Sequence, residues 1–164
     1  MSGQVLNINR SLDLVTLFLP VTGKKLLVPN VALAEVVPIT EVSSIDDMPN
    51  WLLGTLQWRK KTIPLVSFEA INDEPFVEAG DYLRVAVMNG CQDGDKMPFY
   101  AIALRGTPRM TRMVEEEVTG QENADLGIAE SMSVVVDGSE AIIPNLEHIE
   151  TQVHEIFTQL NITD

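Results

Sequence analysis

Two histidines and one cysteine are the only side chains in this 164-residue chain that offer imidazole nitrogen or thiol sulfur. A catalytic zinc needs three converging protein ligands. His148 and His154 lie six positions apart in a segment predicted to be helical. That spacing turns them about 240° around the axis, so they cannot share a metal. Cys91 would need a base and an electropositive setting to act as a nucleophile. It sits instead in the acidic loop Asn89-Gly-Cys-Gln-Asp-Gly-Asp95, which disfavours a thiolate. Carboxylates cluster at Asp46-Asp47, Asp93/Asp95 and Glu115-Glu116-Glu117. All fall in polar stretches where a solvated charge is the ordinary state.

Patterned chemistry is equally thin. Gly23-Lys24-Lys25 lacks the upstream glycine and the hydroxyl of a phosphate-binding loop. The GxGxxG, HExxH, GxSxG and CxxC patterns do not occur. The sequence predicts no enzyme, no cofactor and no metal. Contact chemistry remains. Trp51 and Trp58 supply two of nine aromatic residues. Their spacing on a strand sends them to opposite faces, so at most one packs in a given core. Arg59-Lys60-Lys61 is the densest basic run, and an apolar segment surrounds Leu33.

Charge narrows the partners. Net charge is −13, and all eleven basic residues lie between Arg10 and Arg112 beside twelve acids. Residues 113–164 hold twelve acids with no Lys or Arg. Such a field repels phosphate backbones and anionic lipid, so neither nucleic acid nor direct membrane insertion is expected. No run approaches the roughly 20 apolar residues of a membrane span. Leu12–Pro20 contains Asp13 and no small-x-small cleavage site, so no secretory signal is expected. A lone cysteine cannot form an internal disulfide. The predicted location is cytoplasmic.

The positioning elements are short. Leu12–Leu19 and Lys24–Val28 read as strands around Pro20-Val-Thr-Gly23. Asn30 is placed to cap a short helix through Val31, Ala32, Leu33, Ala34, Val36 and Val37, ended by Pro38. Trp51–Arg59 and Thr62–Phe68 form a hairpin around Lys60-Lys61, with Pro64 marking its second strand as edge or bulged. Ile71–Gly80 reads as a linker. Tyr82–Met88 and Phe99–Leu104 are strands, whereas Arg105–Thr119 has no clear period. Asp137-Gly138 joins Ser133–Val136 to Ala141–Ile143, and Asn145 caps a terminal helix with Leu146, Ile149, Val153, Ile156, Phe157 and Leu160 on one face. The pattern is all-β with short helices, and suggests paired small barrels. Leu56, Ile63, Leu65 and Val85 are expected in a barrel core.

The segment Trp-Leu-Leu-Gly-Thr-Leu-Gln-Trp-Arg-Lys-Lys-Thr-Ile-Pro-Leu-Val-Ser-Phe (51–68) resembles the signature of CheW-like chemotaxis adaptors. Leu33-Ala-Glu35-Val36-Val37 resembles the family's Val-x-Glu-Ile/Val element, and Pro49 holds the proline before the glycine. Phe99–Leu104 and Ala141–Glu147 are similar to its later strand and its closing strand with helix entry. Three positions depart from the pattern. Lys60 replaces the Gly of Arg-Gly, Ser67 an Asp, and Arg105 a second Asp.

The resemblance implies two five-stranded SH3-like barrel subdomains plus a C-terminal helix. Residues 1–11 would be a flexible tail and 12–164 one CheW-like domain, with subdomains near 12–75 and 81–144 and the helix at 145–160. It further implies a non-catalytic scaffold joining methyl-accepting chemoreceptor cytoplasmic tips to the regulatory domain of a CheA-type histidine kinase. A pilus- or twitching-type pathway would suit the departures. Leu33, Glu35, Val36, Trp58, Arg59 and Lys60 would carry partner binding. The alternative is a β-barrel module binding a small ligand or peptide outside any receptor–kinase array.

Overall fold

In the computed structural model the described residues are 13–74, 82–90, 99–114, 118–121, 125–136 and 138–160. The expected tail at 1–11 and Cys91 lie outside them. Among the described residues eleven strands form two sheets. Strands β1 (Asp13–Val21), β2 (Lys24–Pro29), β8 (Arg109–Val114), β9 (Val118–Gly120), β10 (Glu130–Val136) and β11 (Ser139–Pro144) make one, in the order β8-β1-β2-β11-β10-β9. Strands β3 (Leu33–Pro38), β4 (Leu52–Trp58), β5 (Lys61–Val66), β6 (Arg84–Asn89) and β7 (Phe99–Leu104) make the other, in the order β3-β6-β7-β5-β4. Helix α1 spans Phe68–Ile71 and α2 spans Leu146–Leu160. The sheets do not follow the two halves of the chain. The six-stranded sheet takes both ends, and the five-stranded sheet is the contiguous middle.

Alternation along the strands divides the apolar residues among three clusters. Val85 and Val87 of β6 and Ala101 and Ala103 of β7 join Leu56, Trp58, Ile63 and Leu65 inside the five-stranded sheet. Phe18, Leu27, Val134, Val136 and Ala141 form the interior of the six-stranded sheet. The intervening residues Ala86, Met88, Tyr100, Ile102 and Leu104 enter a third cluster with Leu19, Leu26, Phe68, Ile149 and Val153. It draws on both sheets and both helices. Strands buried on both faces read as continuous apolar runs, which is why Tyr82–Met88 shows little alternation. All four residues expected in a barrel core fall in one cluster. Trp51 and Trp58 are both buried, one in the shared cluster and one inside the five-stranded sheet.

Three local expectations are corrected. Only Asn30–Ala32 makes a helical turn, a 3-10 turn with Pro29 at its N-cap position and no side-chain cap. From Leu33 the chain is extended and pairs with β6. The β-branched Val36 and Val37 favour a strand, and β6 offers them an edge. Pro64 does not mark an edge, since β5 lies between β7 and β4, with the β7 pairing at Leu65 and Val66. The predicted linker begins inside packed structure, because Ile71 and Asn72 are buried. The unassigned stretch after Arg105 supplies β8 and β9, and β8 pairs with β1.

The five-stranded sheet curls until its two ends nearly meet. Ser43, in the β3–β4 connection, bonds Thr55 of β4 in both directions, N to O at 2.8 Å and O to N at 2.9 Å. Gly54 makes that approach possible. Its φ is +144°, and a Cβ there would run into the Ser43 carbonyl. Gly54→Ala therefore strains the backbone and opens the contact, at an expected cost of at least about 3 kcal/mol. Leu56→Ala, in the cluster beneath, should cost roughly 2–5 kcal/mol. Urea denaturation measures both, and Gly54→Ala with an unchanged midpoint contradicts this account.

Candidate partner-binding site

Strands β3 and β4 are opposite ends of the same sheet, yet their side chains meet. Glu35 Oε1 accepts a hydrogen bond from Trp58 Nε1–H at 3.0 Å and another from Arg59 Nη2 at 3.1 Å. A bulge in β3 sets this up. The register passes from Leu33 opposite Met88 to Glu35 opposite Val87. Ala34 and Glu35 therefore share the face of Val87, which is the side of the Trp58 cluster. Trp58 packs on Phe99, ring centroids 4.8 Å apart and tilted 60°. The Arg59 guanidinium lies over the Trp58 ring at 4.7 Å. Arg59 keeps 67% of its side chain exposed and Glu35 41%. An ion pair so exposed contributes about 0–1 kcal/mol to folding.

The hairpin tip is unusual. Trp58 pairs with Lys61, so Arg59 and Lys60 form a two-residue loop. Their φ values are +48° and +66°, the type I′ turn that ordinarily takes Asn-Gly or Gly-Gly. Each non-glycine residue there costs about 1–2 kcal/mol. The lysine read as a departure from the family pattern thus adopts the glycine conformation unchanged.

Of the six residues singled out, the structure joins Glu35, Trp58 and Arg59. Lys60 is exposed beside them. Leu33 is half-buried against the shared cluster, and Val36 is half-buried opposite Ala86. Phe99 joins the cluster without a sequence signal, because no short-range pattern links it to Trp58. Val31 was placed inside the predicted helix, but it is 81% exposed at the entry to β3, and Asn89 Nδ2 bonds its carbonyl at 3.0 Å.

Two buried polar networks fasten the sheets together. Glu69 of α1 accepts from the Thr22 amide at 2.8 Å and the Tyr82 hydroxyl at 3.2 Å, with Arg105 Nε 3.9 Å away. Arg105 also donates to Thr22 Oγ1 at 2.8 Å and stacks on Tyr82 at 3.9 Å. Ser67 caps α1 and bonds Glu69 at 3.2 Å. The departures at Ser67 and Arg105, far apart in sequence, therefore meet around one carboxylate. In the second network Lys24 bridges Glu74 at 2.9 Å and Glu130 at 2.6 Å. Asn72 Nδ2 bonds the same two acids, and its Oδ1 accepts from the Ala129 amide at 2.8 Å.

The donors decide the charge states. Burial pushes the Glu69 carboxyl up, but bonds from Thr22 and Tyr82 outweigh it and hold the group below its ordinary value. Burial likewise opposes the charged Glu130, and Lys24, the Gly127 amide and Asn72 reverse the direction. Burial works against the Lys24 ammonium, yet Glu130 and Glu74 raise it. Burial chiefly raises Tyr82, which keeps its hydroxyl a donor.

Among the described residues no group of three His, Cys, Asp or Glu side chains could hold a metal. No described helix is long and apolar enough to cross a membrane. The model of the CheW-like domain matches residues 16–153. A comparison with curated proteins found no match. Among solved structures the chain is similar to the scaffolding protein TtCheW from Thermoanaerobacter tengcongensis. The two share 12% identity and a TM-score of 0.66, over 80% of this chain and 88% of that one. At that identity the likeness establishes the fold: all-β, two SH3-like subdomains, and a C-terminal helix. The six-stranded sheet exceeds the expected five strands, and neither sheet closes through its described end strands.

Glu69 and Glu130 bind fewer protons folded than unfolded, so both stabilise the fold above the ordinary carboxylate value of 4.5. That stability is lost as pH falls through their lower folded values. Lys24 contributes below its ordinary 10.5, and its share is lost as pH rises through the raised value. The urea midpoint should fall on acidification below about pH 4.5. Glu69→Gln/Glu130→Gln should start less stable and lose less with acid. Equal acid sensitivity in both proteins contradicts the assignment.

Proposed function

The chain belongs to the CheW-like domain family, and on that premise we propose that it is a non-catalytic adaptor in a chemosensory array. It couples the cytoplasmic tips of methyl-accepting chemoreceptors to the regulatory domain of a CheA-type histidine kinase. It works in the cytoplasm, recruited to the membrane by the receptors, in a pathway of the pilus or twitching type. The Glu35–Trp58–Arg59 cluster carries this reading. It places an exposed arginine on a rigid aromatic base and ties it to Glu35 of the edge strand β3, close after the exposed Val31. Large amphipathic side chains anchored this way are what protein interfaces use. An adaptor must hold two partners at once, so the kinase meets a separate face.

The test is direct binding. Arg59→Ala should weaken association with the kinase domain or the receptor tip by more than tenfold. Its melting temperature should stay nearly unchanged, because the exposed pair with Glu35 adds little to folding. Surface plasmon resonance and thermal melting on the same sample check both. A wild-type protein that binds neither partner leaves the barrel module for small ligands or peptides as the surviving reading. A stable Arg59→Ala that binds like wild type removes Arg59 from the site.

A further inference from the structure

Lys60 stands where the backbone asks for glycine. Its φ of +66° is in the left-handed region, and so is that of Arg59 beside it. Glycine would remove the strain at no steric cost. Backbone strain that persists points to a role for the side chain kept there. Lys60 is exposed and makes no hydrogen bond or ion pair with any described residue. Its neighbours are tethered: Arg59 to Glu35 and the Trp58 ring, and Lys61 over Phe99 at 6.0 Å. Elsewhere Lys24 is tied to Glu74 and Glu130, Arg105 to Glu69 and Thr22, and Lys25 and Arg109 flank the Phe18 ring. Lys60 is thus a free ammonium at the end of a stiff hairpin, in the densest basic run of a chain of net charge −13.

We propose that Lys60 is a specificity residue that recognises a carboxylate-rich segment of a partner protein. The charge distribution selects that class. A net charge of −13 repels an extended polyanion such as duplex nucleic acid. A short acidic segment approaches the tip alone and meets three adjacent cations within a Debye length of about 8–10 Å. Arg59 and Lys61 each already lie over a ring, so Lys60 is the cation of this run with no such contact to give up when it reaches an incoming carboxylate. This rests on the adaptor reading for where the partner docks, and not for the chemistry of the contact.

The experiment compares wild type, Lys60→Gly and Lys60→Glu. Each is melted, then titrated with a synthetic helical peptide bearing glutamates along one face, its glutamine counterpart, the kinase regulatory domain and the receptor tip. Lys60→Gly should melt about 2–4 °C higher while binding the glutamate peptide about three- to tenfold more weakly. Its affinity should also depend less on salt. Lys60→Glu should bind more weakly still, and the glutamine peptide should not discriminate. A Lys60→Gly that melts no higher, or that binds the glutamate peptide like wild type, overturns the proposal. Wild type binding both peptides equally also overturns it. If the peptide result holds but neither kinase nor receptor binds, the adaptor reading falls and the role of Lys60 stands.

Discussion

The paired hydrogen bonds between Ser43 and Thr55 convert an open five-stranded sheet into a nearly closed one. β3 and β4 share no ladder and are the two end strands of the sheet, with three strands between them. Without the Ser43 strap and the glycine beneath it, Glu35 would sit at one edge and Trp58 at the other. With it, a single carboxylate oxygen ties the two edges across the mouth of the barrel. The apolar interior is sealed by the same act, since Val42 and Ile39 of the strap pack against it. Core, rim and contact surface thus share one backbone constraint.

The second constraint is polar. Two sheets facing a common apolar cluster could slide, because hydrophobic burial is non-directional. The networks around Glu69 and Glu130 fix the register. Each ties α1 or its flanking turn to the β1–β2 hairpin, and each satisfies its buried carboxylate by several donors. A buried charge so surrounded contributes little net stability against an apolar replacement, but removing one member leaves its partners uncompensated. Gly127 is held to the same geometry, because a Cβ there would strike the Asn72 side chain. These atoms give direction to a packing that the apolar cluster alone leaves undirected.

Local chemistry was readable where it decided the structure locally. The Phe99–Leu104 strand, the hairpin at Gly138 and the terminal helix begun by Asn145 all appear where their signals placed them; Asn145 Oδ1 does accept the His148 amide at 3.0 Å. The segment after Asn30 defeats a local reading, because capping and period are local while its strand exists only through β6. β8 follows Gly106-Thr-Pro108 and carries Arg109, Met110, Thr111 and Arg112, a largely polar run at a sheet edge with no clear alternation to mark it as a strand. The site residues were reached through family resemblance. Their convergence was not legible, because it depends on a bulge and on a closure between distant strands. Ser67 and Arg105 each stand out as departures from the family pattern, but nothing in the sequence joins residues so far apart, and their partnership was not legible.

The division of the chain between the sheets has a temporal side. The strands of the five-stranded sheet run in order from Leu33 to Leu104, so all its partners are synthesised before β8 to β11 are. β1 and β2 emerge first, but β2 gains its outer neighbour β11 only after residue 139 has been synthesised, and β1 gains β8 only after residue 109. Until then the N-terminal hairpin is a two-stranded ribbon, marginal on its own, with the apolar faces of Leu19, Leu26 and Phe18 awaiting cover. Contacts of such long sequence separation form late and slowly. All strands of the middle sheet are therefore present before β11 can pair with β2.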